Sequence, residues 1–264
     1  MKIALTIAGS DPSGGAGIQA DLKTFQAHGV FGMSAITAVT VQNTRKVYDV
    51  QEIDPALVRE QIVRVFEDVT VDVVKIGMVS GPALIEKIAE ALSRVSAPPP
   101  VVLDPVMISK SGYALLRSEA RSALLERLFP LADIVTPNIY EAELLAGFDI
   151  QTRADMEQAA RCMIAAGARQ AVIKGGHLAG SEAVDLIRDG RRFETLSAPR
   201  IETANTHGTG CTFSSALAAN LALGADFFTA AAAAKRYITE AIRRAPGIGH
   251  GAGPLNHMVI PPPA

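Results

Sequence analysis

The residues best suited to do chemistry are residues 205–212, which read Asn-Thr-His-Gly-Thr-Gly-Cys-Thr. An apolar run typical of a buried helix follows them and ends at Gly224. A glycine-rich turn that opens a helix presents free backbone N–H groups at the positive end of the helix dipole. Cys211 lies at the helix start, where a thiolate would be stabilised. The stretch predicts phosphate binding beside an activated thiol, and the alternative for Cys211 is a small buried residue.

A second glycine-rich loop, residues 9–17, follows the first apolar run and opens a helical pattern. Its glycines, Gly9 among them, let a ligand approach the backbone closely, and such loops bind ligands at the carboxyl edge of an α/β sheet. The spacing matches neither the dinucleotide fingerprint nor the Gly-Lys-Ser/Thr phosphate loop. A tight strand-to-helix turn is the alternative.

Three further strand ends offer groups for a small ligand. Gln42 carries a neutral amide that suits a heterocycle with adjacent donor and acceptor atoms. Met78 and Val106 follow two later strand patterns and suit the apolar walls of the same pocket. A solvated strand end and ordinary packing are the alternatives for these positions.

Carboxylates and lysines also follow buried strands. Asp104 ends one strand, while Asn138 and Glu141 lie three residues apart at a helix start and therefore share one face. The carboxylates could hold Mg²⁺ through water, or Asn138 and Glu141 could form only a helix cap. Lys174 ends another strand and could contact a phosphate as a point charge. Lys235 could reach the same anion or be exposed, and His207 is expected to be a helix cap or core residue.

Composition excludes several classes of function. The net charge is −2 and no basic block is present, so nucleic acid and anionic membranes are not expected partners. The apolar stretches are too short to span a bilayer, and the N-terminal run is interpreted as a first strand rather than a secretory signal. Cys162 and Cys211 are the only cysteines, which indicates reduced thiols in a cytoplasm.

Apolar and amphipathic segments alternate along the chain. Short runs rich in Val, Ile and Ala predict strands at 3–7, 34–41, 71–76, 101–104, 134–136 and 171–174. Helical patterns occupy 16–28, 55–69, 82–95, 119–129, 138–146 and 152–166. The Asp-Gly pair at 189–190 predicts an antiparallel hairpin at an edge. The fold class is therefore α/β, a single domain over residues 1–264 with a central, mostly parallel sheet flanked by helices on both faces. Residues after about 247 are expected to form a Gly/Pro-rich tail that is poorly ordered at its end.

Taken together, these segments resemble the ribokinase-like superfamily, and within it the hydroxymethylpyrimidine and phosphomethylpyrimidine kinases of thiamine biosynthesis. The resemblance runs in order along about residues 1–245 and rests on residues 8–24, 41–44, 75–78, 102–107, 136–141, 172–177 and 205–212. Sugar kinases of this superfamily place an aspartate base where this chain has Cys211. That departure is typical of the pyrimidine kinases and of some pyridoxal kinases.

The resemblance implies ATP-dependent phosphorylation of 4-amino-5-hydroxymethyl-2-methylpyrimidine and then of its monophosphate, by a homodimer that uses Mg²⁺. It implies that the substrate lies among Gln42, Gly9, Asp21, Met78 and Val106. It implies that ATP lies near Lys174, Asn138, Thr206 and Lys235, and that Asp104 and Glu141 organise the metal. Backbone N–H groups of Gly208, Thr209, Gly210 and Cys211 would hold the transferring phosphoryl group, with Cys211 as the base.

Two other functions fit the same features. A pyridoxal or pyridoxine kinase could use the same pocket, because both substrates are small heteroaromatics that carry a hydroxymethyl group. A pyrimidine sensor without catalytic activity could keep the fold, although it would be expected to lose the carboxylates or the glycine turn. The loop at 109–113 is a candidate flap over the substrate.

Overall fold

The computed structural model describes residues 1–108, 112–113, 115–117, 119–176 and 180–261. Its strands are β1 Ile3–Ser10, β2 Phe31–Gln42, β3 Val47–Glu52, β4 Val73–Ile76, β5 Val101–Leu103, β6 Ile134–Val135, β7 Gln170–Ile173, β8 Glu182–Arg188 and β9 Phe193–Pro199. Its helices are α1 Gly17–Ala27, α2 Pro55–Asp68, α3 Pro82–Ser93, α4 Ala120–Ala123, α5 Ile139–Ala146, α6 Arg153–Ala165, α7 Thr209–Ala222 and α8 Phe227–Arg243. Helix α4 continues as a π-helical turn, Leu124–Leu128, and a 3₁₀ turn, Phe129–Leu131.

These strands form one sheet in the order β3-β2-β1-β4-β5-β6-β7-β8-β9. The pairs from β2 to β7 are parallel, whereas β3 pairs antiparallel with β2, and β8 pairs antiparallel with β7 and β9. The α/β class and the edge hairpin β8–β9 are confirmed. Strand β3 was missed because most of its residues are exposed or half-buried, so its sequence lacks the apolar run of a central strand.

Helices cover both faces of the sheet, as predicted. Successive residues of a strand point to opposite faces, and β4 shows this directly: Val74 and Ile76 pack with α2 and α3, while Val73 packs with α7 and α8. The second face is built largely from alanines of α7 and α8, which let these two helices approach closely. Both cores together keep the ends of the parallel strands in fixed positions.

The C-terminal segment packs against the core as far as Val259. Leu255 and Val259 are buried in the core beside α7 and α8, and the N–H of Asn256 donates to the carbonyl of Ala241. Glycine and proline content alone was a poor guide here, because a few apolar side chains suffice to anchor an irregular segment. Residues 262–264, the end of the expected tail, lie outside the described residues.

Two other expectations concern the candidate flap and the length of the apolar helices. Of the candidate flap at 109–113, only 112 and 113 are among the described residues, so the flap remains a prediction. Within the described ranges, no helix combines the length and the apolarity needed to cross a bilayer.

Candidate active site

A cavity of about 550 Å³ opens at the carboxyl ends of the parallel strands. This is the edge where open α/β sheets bind ligands. The strands bring together almost every residue that the sequence analysis selected. Those that line the cavity are Gly9, Gln42, Met78, Asp104, Val106, Asn138, Glu141, Lys174, Thr206, Gly208, Thr209, Gly210, Cys211 and Lys235.

The glycine-rich turn before α7 forms one wall of this cavity. Gly208 has a φ of +79° and precedes the first residue of α7. Thr209 folds back and donates from Oγ1 to the carbonyl of Thr206 at 2.7 Å, so its side chain closes the turn. Helix geometry leaves the N–H groups of Gly210 and Cys211 without an intrahelical acceptor. The turn is therefore able to bind an anion, as the sequence predicted.

The two glycine-rich turns touch each other through their backbones. A side chain at Gly208 would overlap the carbonyl oxygen of Gly15 in the other turn, and within the first turn a side chain at Gly17 would overlap the carbonyl oxygen of Gly9. Both glycines at 17 and 208 also have positive φ, which other residues adopt only with strain. These glycines are required by close approach as well as by conformation.

Cys211 is half-buried between these turns, with its thiol near the N–H of Gly17. The sequence predicted a lowered pKa for this thiol at the helix start. That expectation was wrong for the protein without ligands: burial raises the pKa of Cys211 to about 11 and outweighs the lowering effect of Lys75. Asp21 and Asp104 raise it further because negative charges disfavour a thiolate.

Lys174 and Asp104 lie directly over the anion-binding turn. Lys174 Nζ is 2.8 Å from Asp104 Oδ1, and a Cβ at Gly210 would lie 3.1 Å from that Nζ and 3.3 Å from Asp104 Oδ2. Thr136 donates to Asp104 Oδ1 at 3.2 Å and helps to orient the carboxylate. A cation and a carboxylate thus lie beside Gly210 in the anion-binding turn.

Asn138 and Glu141 form a capping box at the start of α5. The N–H of Glu141 donates to Asn138 Oδ1 at 2.9 Å, and the N–H of Asn138 donates to Glu141 Oε2 at 2.8 Å. The capping alternative is therefore correct, yet both residues also line the cavity. Capping and a role in the site are compatible, because the cap fixes the carboxylate at the cavity wall.

Asp104 and Glu141 share one lysine, Lys174, at this wall. Burial raises the pKa of Glu141 to about 7, Lys174 lowers it, and Asp104 raises it again. In the described part of the chain no three His, Cys, Asp or Glu side chains converge as direct metal ligands. Two hard oxygen ligands fit a Mg²⁺ that keeps waters and binds phosphate oxygens, and a cation between them would favour the ionised form of Glu141.

The other end of the cavity is flanked by apolar groups and one amide. Met78 packs closely against Gly9 near the end of β1. A Cβ at Gly9 would lie 3.0 Å from the Sδ of Met78. The Gln42 amide lies close enough to Asp11 to help lower its pKa, and Asp11 Oδ2 lies 2.8 Å from His207 Nε2. Burial would raise the pKa of Asp11, but the hydrogen bonds from His207 and Ser13 hold it well below its usual range.

Asp21 does not lie in this cavity, contrary to the expectation that it contacts substrate. It is fully buried behind the turns and is not among the described lining residues. Thr6 and Ser215 donate to its carboxylate at 2.6 and 2.7 Å, and Lys75 forms a salt bridge with it at 2.9 Å. Because all of these partners belong to the protein interior, Asp21 stabilises the fold behind the turns.

Lys235 reaches the cavity but is not a free cation. Its Nζ lies 2.8 Å from Asp185 Oδ2, and Asp185 Oδ1 accepts the N–H of Gly175 at 3.0 Å. Sequence analysis missed Asp185, although an acidic residue on a mostly apolar strand is a usable signal. It also missed Asp11 and Lys75, and it assigned His207 no more than a capping or core role.

Comparison with known proteins agrees with this geometry. The family profile described as "Phosphomethylpyrimidine kinase" matches residues 11–256. The chain is 51% identical to the hydroxymethylpyrimidine/phosphomethylpyrimidine kinase of Rhizobium meliloti over 259 residues, 97% of both chains. It is also 51% identical to a thiamine biosynthesis bifunctional protein of Geobacter sulfurreducens, of which it spans 52%.

Solved structures with the same fold fall into two groups. A phosphomethylpyrimidine kinase of Clostridium difficile shares 48% identity with a TM-score of 0.81, over 92% of this chain and 100% of that one. A pyridoxal kinase of Staphylococcus aureus in complex with pyridoxal shares 34% identity with a TM-score of 0.90, over 98% of this chain and 94% of that one. Both are similar across nearly the whole length of this chain.

Proposed function

The chain belongs to the phosphomethylpyrimidine kinase family, and from that premise we propose that it phosphorylates 4-amino-5-hydroxymethyl-2-methylpyrimidine with ATP and then phosphorylates the monophosphate. The product is the diphosphate used in thiamine biosynthesis. Its established relatives are kinases, so this chain is a phosphotransferase. The substrate and the two successive steps are the parts of the proposal that need an experiment.

One observation carries the proposal: Lys174 and Asp104 lie beside Gly210, in the turn whose N–H groups at Gly210 and Cys211 have no intrahelical acceptor. Phosphoryl transfer requires little covalent chemistry from the protein, and positioning with charge stabilisation supplies most of the acceleration. The N–H groups and Lys174 would together hold the negative oxygens of the transferring group. Thr206 and Asn138 line the same end, which supports ATP binding there.

The pyrimidine is assigned to the end of the cavity with Gln42. Its amide suits the adjacent donor and acceptor atoms of an aminopyrimidine, while Met78 and Val106 supply apolar contacts. In this pose the hydroxymethyl group points towards Cys211. Gln42 lies beside Asp11 and lines the cavity, so its amide is available to the heterocycle.

In the first step the hydroxymethyl oxygen attacks the γ-phosphorus of ATP, the bond from that phosphorus to the leaving oxygen breaks, and ADP departs. Cys211 as a thiolate takes the hydroxyl proton and becomes a neutral thiol. In the second step the nucleophile is a phosphate oxygen that is already anionic, so no base is required. Asp104 and Glu141 would hold Mg²⁺, which neutralises charge on the phosphates when bound.

Product analysis tests the proposal directly. The protein is incubated with ATP, Mg²⁺ and the hydroxymethylpyrimidine, and the mono- and diphosphates are identified by mass. Appearance of both products in that order supports two steps at one site. Only the monophosphate would restrict the proposal to the first step, and absence of ADP formation with any candidate substrate would favour a sensor.

A pyridoxal kinase is the second candidate, favoured by the similarity to the pyridoxal complex from Staphylococcus aureus. The same cavity would accept that hydroxymethyl heteroaromatic. Comparison of kcat/KM for the two substrates decides between them. A much higher value for pyridoxal would overturn the choice made here.

The organisation of the protein completes the proposal. We expect one catalytic domain over residues 1–264, a homodimer and a cytoplasmic location. The free state of Cys162 and Cys211 supports a reducing compartment. Light scattering on the purified protein measures its mass in solution, and a monomer would contradict the expected dimer.

A further inference from the structure

Residues 249–254, here called the strap, run along the outside of the substrate end of the cavity. This segment links two turns that are far apart in sequence. At one end it contacts the turn at 43–46 that joins β2 to β3, directly after Gln42. At the other end it contacts the anion-binding turn at His207.

The first contact depends on Thr44. The N–H groups of His250 and Gly251 both donate to Thr44 Oγ1 at 3.2 Å. A side chain at Gly249 would overlap the Thr44 side chain, and one at Gly251 would overlap the Thr44 carbonyl. The strap is thus pressed against this turn without space for a methyl group.

The second contact depends on Gly253. Its carbonyl accepts the N–H of His207 at 3.1 Å, and a side chain at Gly253 would overlap Asn205 Oδ1. His207 and Pro254 also form an isolated parallel bridge. The strap therefore holds the anion-binding turn by main-chain hydrogen bonding at its entry.

These contacts close a ring around the substrate end. His207 Nε2 lies 2.8 Å from Asp11 Oδ2, the Gln42 amide lies beside Asp11, and Gln42 lies two residues before Thr44. Asp11 also accepts the N–H groups of Gly15 and Ala16 at 3.1 and 2.8 Å. Beyond the strap, Leu255 and His257 are buried and anchor it to α7 and α8.

We infer that the strap braces the turn after Gln42 against the anion-binding turn, and that Thr44 is a positioning residue for the pyrimidine. Thr44 acts through Gln42 and touches no reacting atom. A braced Gln42 amide needs less ordering when the heterocycle binds, so the brace affects substrate affinity more than the chemical step. This inference rests on the proposed function for the assignment of the pyrimidine to Gln42.

The test compares Thr44→Val with Thr44→Ser. Valine keeps the shape and removes the acceptor for two N–H groups, whereas serine keeps the hydroxyl. We expect Thr44→Val to raise the KM for the pyrimidine about threefold to tenfold while kcat and the KM for ATP stay within about twofold. Thr44→Ser should restore the wild-type KM. A wild-type KM for the pyrimidine in both variants would overturn the inference.

A second pair of variants tests the strap without altering Thr44. Gly249 and Gly247 both have positive φ, +85° and +67°, but a side chain at Gly247 meets no atom within 4 Å. Both alanine variants bear similar backbone strain, so the difference between them reports the clash with Thr44. A larger pyrimidine KM for Gly249→Ala supports the brace, and identical KM values contradict it.

Hydrogen exchange supplies a readout that does not depend on activity. In Thr44→Val, faster exchange at the amide of His207, across the ring from the altered residue, supports the brace. Unchanged exchange there overturns it even if the protein proves to use another substrate. Loss of the proposed function would instead appear as failure of the wild-type protein to phosphorylate the pyrimidine.

Discussion

Lys75 Nζ lies 2.9 Å from both carboxylate oxygens of Asp21, and neither side chain has any exposed surface. This ion pair lies behind the anion-binding turn and influences the thiol of Cys211 through space. Thr6 and Ser215 occupy further acceptor sites of Asp21. The pair is therefore a fixed charge arrangement that supports the turn from the protein interior.

Asp21→Asn should destabilise the fold, because it leaves the buried ammonium of Lys75 without a counter-charge. Breaking a buried pair on one side typically costs about 3–5 kcal/mol. Urea denaturation measures the loss, and adding Lys75→Met to the same protein should recover part of it. A variant with normal unfolding but a raised pyrimidine KM would restore the original expectation that Asp21 binds substrate.

Cys211→Ala should reduce the first phosphorylation much more than the second, because only the first nucleophile carries a proton. Burial raises the thiol pKa to about 11, so below that pH the thiolate fraction grows about tenfold per pH unit. The wild-type rate of the first step should therefore rise between pH 7 and pH 9. A rise of the same slope in Cys211→Ala would assign the pH dependence to another group.

Gly208→Ala should abolish activity, because its methyl group would overlap the carbonyl of Gly15. Gly224→Ala is the matched control: φ is also positive, +98°, but the added carbon would meet no atom within 4 Å. The control should lose only about 1–2 kcal/mol of stability and keep wild-type turnover. Similar losses of activity in both variants would show that backbone strain, rather than contact between the turns, is responsible.

Glu141→Gln should increase the Mg²⁺ concentration needed for half-maximal activity, on the order of 10- to 100-fold. Glutamine can still accept the N–H of Asn138, so the capping box and the start of α5 should be retained. Titration of activity with Mg²⁺ at saturating substrates measures the shift. An unchanged titration curve would remove Glu141 from the metal site and leave its role as a cap.

His257 should make the fold sensitive to acid. Burial lowers its pKa from 6.5 to about 4, so the unfolded chain binds a proton at a pH where the folded protein does not. The contribution of His257 to stability is therefore constant above pH 6.5 and is lost as the pH decreases towards 4, by up to about 3 kcal/mol. His257→Gln should flatten this part of the curve of unfolding free energy against pH, and an unaltered slope would contradict the assignment.

Sequence periodicity was sufficient for the central strands and most helices, because β4 and β5 are apolar on both faces and Asp54 with Pro55 marks a helix start. Most site residues could be selected because parallel strands must end at one edge. Partners in space could not be read from the chain. Asp185 beside Lys235 and Lys75 beside Asp21 are separated by 50 or more residues, and only the folded sheet joins them.

The prediction that the pKa of Cys211 is lowered was wrong for a related reason. The helix start was visible in the sequence, but the depth of burial was not, and burial dominates over the nearby lysine. The role of the C-terminal segment could not be predicted for the same reason. Its glycine and proline content indicated only a tail that is poorly ordered at its end. The function of its glycines depends on Thr44 and Asn205, which lie far away in the chain and leave no room for side chains.

The backbone contact between Gly208 and Gly15 has a consequence for motion. No side chains lie between the two turns, so a small rotamer change cannot let one turn shift past the other. The phosphate end and the pyrimidine end of the cavity are therefore expected to move as one body. Any closure over bound ligands then belongs to the opposite wall, and a substrate analogue that spans both turns would find its two anchor points at a constant separation.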